Sequence, residues 1–88
     1  MTIHDILFEQ IYRAGLFSKE LDACTQNTCL ETINGFYWSG MEAYNTVLCI
    51  AYGLHDAGLI TEQQKTMYSR VIDDAKMHMI GKHAEFRI

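Results

Sequence analysis

The sequence predicts an all-α fold, a small bundle of about four helices built from helix-turn-helix pairs. Three observations point there. Apolar residues recur at helical spacing along most of the chain. No proline interrupts it. A five-residue turn signature occurs twice, as Ala14-Gly15-Leu16-Phe17-Ser18 and as Ala57-Gly58-Leu59-Ile60-Thr61. In each copy the glycine supplies the left-handed residue that ends a helix. The following leucine folds back onto the last turn, Leu16 onto Ile11 and Leu59 onto Leu54, which is the apolar contact of a Schellman motif. Ser18 or Thr61 then caps the next helix.

The first helix spans about 3–14. Ile3, Ile6, Leu7, Ile11 and Ala14 share one face, and Phe8 and Tyr12 form a second row that widens it. Thr2 with Asp5 opens it as a capping box in which Asp stands for the longer Glu. A shorter helix begins near 19. Ser39 with Glu42 opens a helix over about 40–57, apolar nearly all round, in which Gly53 marks a close helix crossing. Thr61 with Gln64 opens the last, about 62–80, with Met67, Tyr68, Val71, Ile72, Ala75 and Met79 inward and Lys65, Arg70, Asp73 and Lys76 outward.

The segment 25–38 is the ambiguous one. Asn34-Gly35 between two apolar runs is a hairpin signal. A short helix capped by Thr28 with Glu31 and ended by Gly35 reads equally well. An isolated hairpin is marginal in water, so a short helix or irregular loop is preferred over a short hairpin. At the other end Gly81 terminates the last helix. The segment 82–88 is then a flexible tail, or else tucks Phe86 and Ile88 into a groove.

Eighty-eight residues, 49% apolar and 20% charged, suit one globular helical domain, 1–88. The longest apolar stretch, Val47 to Tyr52, is too short for a membrane span, and the N-terminus lacks a signal-peptide pattern. The expected compartment is the cytoplasm. Cys24, Cys29 and Cys49 are odd in number and read as free thiols, buried or half-buried.

Net charge is −4 and uneven. Residues 1–62 hold eight acids against Arg13 and Lys19, while residues 63–88 hold five bases against three acids. That excess repels phosphate and makes nucleic acid an unlikely partner. His78 and His83 are five apart, as are Cys24 and Cys29, and neither pair has zinc-ligand spacing, so no metal is expected. His55 and Asp56 are helix neighbours that do not face each other. Cys49 sits in an apolar run unsuited to a nucleophile. With no phosphate loop or nucleophile elbow, the expectation is no enzyme and no cofactor.

The positive signal is Phe36-Tyr37-Trp38. Three consecutive aromatics cannot all face one core, so at least one is left for the surface or a partner, and Trp and Tyr are frequent interface anchors. Glu31 and Glu42 flank them in a region of scattered acids. The partner-binding set is therefore Phe36, Tyr37, Trp38, Glu31 and Glu42, and the expected function is a non-enzymatic protein-binding module. In size and style such chains are similar to accessory proteins of phages and mobile elements, including inhibitors of host defences. No family motif carries that analogy. Two alternatives are a structural or regulatory homodimer through the 40–57 helix, and a small helix-turn-helix-like nucleic-acid binder that reads with the last helix.

Overall fold

The computed structural model describes residues 1–86. The described chain is all-α, with three helices rather than four: α1 (Ile3–Ala23), α2 (Leu30–Asp56) and α3 (Glu62–Ala84). The two copies of the turn signature diverge. At the second, Gly58 takes φ +75°, its N–H donates to His55 O, and Leu59 N–H donates to Leu54 O. That is the Schellman pattern. Thr61 and Gln64 then form a complete capping box. At the first copy the chain stays helical through Gly15, so Leu16 does not return to Ile11 and Ser18 caps nothing. A mid-helix glycine costs about 1 kcal/mol relative to Ala. Ending the helix there would break the stripe Leu7, Ala14, Leu21, all fully buried, and burial of one leucine contributes about 1.5–3 kcal/mol. Packing therefore outweighs propensity, and the helix expected near 19 is the second half of α1.

The loop Thr25–Cys29 is a compact hydroxyl-bonded turn. Thr28 Oγ1 accepts from Thr25 N–H at 2.9 Å and Thr25 Oγ1 accepts from Asn27 N–H at 3.2 Å. Thr28 thus serves the turn, and Cys29 is the N-cap of α2 without a side-chain cap bond. From Leu30 the chain is helical through Asn34-Gly35 and through Ser39, so neither the hairpin, nor a stop at Gly35, nor the Ser39–Glu42 box forms. α2 buries Ile33, Tyr37, Gly40, Tyr44, Val47 and Ala51, spaced three or four apart, a continuous face that overrides these local signals. α3 likewise runs through Gly81 to Ala84, and Phe86 packs into the core at 7% exposure. Residues 82–86 are thus helix and turn, while Ile88 lies outside the described residues.

The helices run up, down, up. α2 and α3 are antiparallel along their lengths, joined by Tyr52–Ser69, Asn45–Lys76 and Asn34–His83. α1 lies parallel to α3, tied by His4–Tyr68 at one end and Asp22–His78 at the other. The close crossing belongs to Gly40, not Gly53. A Cβ on Gly40 would lie 2.4 Å from Met79 Cε and 3.1 Å from Phe17 Cβ, whereas one on Gly53 would meet nothing within 4 Å. Phe8 and Tyr12, expected inside, are 52% and 62% exposed, although Phe8 leans on the Tyr68 ring.

Candidate functional site

The aromatic triplet divides because α2 turns by about 100° per residue. Phe36 is half-buried against the core. Tyr37 points inward and stacks on His83, ring centroids 3.9 Å apart at 9°. His83 Nε2 donates to Asn34 Oδ1 at 2.8 Å, which fixes the imidazole under the Tyr37 ring. Trp38 meets the Tyr37 ring edge-on at 4.9 Å and is otherwise outward, 63% exposed. Tyr37 and Phe36 are therefore structural supports, and Trp38 is the residue presented to solvent.

Glu31, Trp38 and Glu42 stand at i, i+7 and i+11 of α2, on one outward stripe, and all three are exposed. Sequence order separates Glu31 and Glu42 from the aromatics; helix phase brings them together. The stripe continues through Asn45 and Cys49. Trp38, Met41, Glu42, Asn45, Thr46 and Cys49 line an open groove of about 450 Å³. A second hollow of about 370 Å³ between α1 and α2 lies on the other side of Glu42, edged by Arg13, Phe17 and Thr46. α2 contains no lysine or arginine. On its α3 side Lys76 Nζ donates to Asn45 Oδ1 at 2.6 Å, and on its α1 side Arg13 edges the hollow beside Glu42. Sequence reasoning missed the groove residues Met41, Asn45, Thr46 and Cys49. Their signal was the spacing from Trp38, which identifies them once α2 is known to be continuous.

Cys24 is half-buried, while Cys29 and Cys49 are exposed, so all three are free thiols but two are not inside as expected. Cys49 belongs to the outward stripe, not to the apolar interior. His78 and His83 turn to different helices: His78 Nε2 lies 2.9 Å from Asp22 Oδ1 on α1, and His83 binds Asn34 on α2. His55 Nε2 sits 2.8 Å from Glu62 Oε2 across the second turn, 3.7 Å separating its Nδ1 from Asp56 Oδ1. Among the described residues no three His, Cys, Asp or Glu side chains converge on a point that a metal would fill. No described helix is long and apolar enough to cross a membrane.

α2 and α3, the helices on either side of the second turn, run antiparallel. Lys65 is held by Glu62 at 3.0 Å and Lys76 by Asn45, so part of the basic set of α3 is engaged within the chain. Fold and site together describe a three-helix scaffold that presents the exposed Trp38 indole with the Glu31 and Glu42 carboxylates along one face of α2. Comparison with protein-family models, with curated proteins and with solved structures yields no match.

Proposed function

We propose that this protein is a non-enzymatic, cytoplasmic protein-binding module that acts by occupying a surface of another protein, as an inhibitor or adaptor of the kind encoded by phages and mobile elements. The observation that carries the reading is Trp38. It is the chain's one tryptophan, and it is largely exposed beside the buried Tyr37. An exposed indole on a rigid support loses little conformational entropy on binding and offers a large contact area. Glu31 and Glu42 set the charge around it, favouring a partner whose rim is basic.

The test is a tagged pull-down from lysate of the source or host cell, read by mass spectrometry, with Trp38→Ala as control. A partner captured by the native protein and lost with the variant supports the reading. Equal capture by a folded Trp38→Ala protein removes the α2 stripe as the binding face.

A further inference from the structure

Three of the four histidines face acceptors and keep their contacts when charged: His55 lies on Glu62, His78 on Asp22 and His83 on Asn34. His4 is the exception. It stands in the first turn of α1 and reaches Gln64 and Tyr68 near the start of α3, which runs parallel to α1. The backbone fixes its protonation. The N–H of Thr61, the N-cap of α3, donates to Gln64 Oε1 at 2.8 Å. The nitrogen of that amide is therefore the atom 3.1 Å from His4 Nε2, and it can only donate. His4 Nε2 must accept, so the imidazole proton sits on Nδ1 and points at the Tyr68 hydroxyl. The two rings stack with centroids 5.8 Å apart. Donors thus run one way, from a backbone N–H through Gln64 and His4 to a fully buried phenol. The neutral imidazole completes this chain. The imidazolium does not, because its second N–H would be set against the Gln64 NH2 group.

We propose that His4 is an acid-opened latch between α1 and α3: neutral, it clamps the starts of the two helices together, and protonated at Nε2 it releases them. Turning the Gln64 amide over, to offer its oxygen to the imidazolium, does not rescue the contact. The Thr61 N–H then loses its acceptor and the capping box of α3 opens. The surroundings do little to hold the added proton. His4 lies at the N-terminal ends of two helices, where the peptide dipoles present positive charge. On α1 the neighbouring Asp5 carboxylate is exposed and accepts from the Thr2 N–H at 3.0 Å. On α3 the Glu62 carboxylate is taken by Lys65 at 3.0 Å and, from the end of α2, by His55 at 2.8 Å. The α1–α3 seam is the least extensive of the three between helices, so one polar clamp at its end matters to it. The latch uses no residue of the outward α2 stripe and is independent of the reading of Trp38.

Amide exchange by NMR on the full chain tests this, with native protein, Gln64→Glu and His4→Gln. The reporters are Ile6 and Lys65, whose N–H groups donate to Thr2 O and Thr61 O in the opening turns of α1 and α3. The window is about pH 7.5 to about pH 5.5, across the histidine range and above that of the carboxylates. After correction for intrinsic rates, native protection at both reporters should fall at least about tenfold, the scale of one lost buried hydrogen bond, while the middle of α2 keeps its protection. Gln64→Glu should reverse the sign. One carboxylate oxygen keeps the Thr61 N–H, as in the common capping box, and the other accepts from a protonated His4 Nε2. His4→Gln, which cannot titrate, should leave the reporters flat across the window. Imidazole nitrogen shifts of native protein at about pH 7.5 should show His4 protonated on Nδ1 and bare on Nε2. Native reporters that do not respond to pH overturn the latch. So does a response that Gln64→Glu leaves unchanged, a fall shared equally by all three helices, or a His4 that carries its proton on Nε2.

Discussion

At the residue scale the glycines of α2 divide by helix phase. Gly40 shares the face of Tyr44, Val47 and Ala51 and admits Met79 and Phe17 to the backbone. Gly53 shares the face of Trp38 and Cys49. Gly40→Ala should destabilise the protein by about 1–3 kcal/mol, since Met79 is fully buried and must be displaced. Gly53→Ala should stabilise it by about 0.5–1 kcal/mol through helix propensity. Urea denaturation of the two variants checks both signs. The sequence pointed to Gly53 because it lies inside the expected 40–57 helix, whereas Gly40 stands at that helix's expected start. Phase distinguishes them only when the helix is known to run unbroken from Leu30. Gln64 shows a second residue-scale constraint. Its carbonyl is taken by the Thr61 N–H at 2.8 Å, so its amide group is the donor toward His4 Nε2. His4 Nδ1 then carries the proton toward the hydroxyl of Tyr68. Tyr68 is fully buried, and burial pushes its phenol above the ordinary tyrosine range. Tyr68→Phe should cost about 1–2 kcal/mol by leaving that imidazole N–H without its acceptor.

At the element scale the two turn signatures differ in one residue that the sequence already displays. Ser18 is followed three residues on by Leu21, which cannot return a hydrogen bond. Thr61 is followed by Gln64, which can. A glycine stop followed by a complete capping box becomes a turn. A glycine stop without one is overridden by a buried leucine. The Ser39–Glu42 pair fails although Gly35 precedes it, because a break there would split the buried face that runs through Ile33, Tyr37 and Gly40. Gly58→Ala should therefore destabilise by about 1–2 kcal/mol, since a Cβ at φ +75° is strained, whereas Gly15→Ala meets only Tyr44 OH at an ordinary 3.5 Å and should be tolerated. The caps also set an acid limit. The Thr2 backbone N–H, then its hydroxyl, hold the Asp5 carboxyl below its usual range. The Lys65 hydrogen bond does the same for Glu62. Groups whose folded pKa is depressed contribute stability above their unfolded pKa and lose it as pH falls through the folded one. First-turn amides of α1 and α3 should thus exchange faster, after correction for intrinsic rates, as pH is lowered from about 5 to about 3, below the carboxylate range. Asp5→Asn should flatten that dependence in α1.

At the scale of the whole molecule the helical class was legible, because the 3.6-residue apolar period persists from Ile3 to Met79. The number of helices was not, because it depends on which breakers win against burial. The site was half legible. The triplet, Glu31 and Glu42 were identified by type, but only a continuous α2 shows that Trp38, Glu31 and Glu42 share a stripe while Phe36 and Tyr37 belong to the scaffold. The last turn matters to the whole as well. Phe86 closes the end of the core at 7% exposure, so Phe86→Ala should lower stability by about 3 kcal/mol, read as an earlier urea midpoint.

The placement of the one tryptophan also decides what light reports about this protein. Trp38 is already solvated in the folded monomer, so its emission should shift little on unfolding and strongly when anything covers α2. The buried rings of Tyr37, Tyr44 and Tyr68 carry the converse signal, and loss of near-ultraviolet dichroism from them tracks the core. Two optical channels thus separate contact from folding in one sample, without any attached dye.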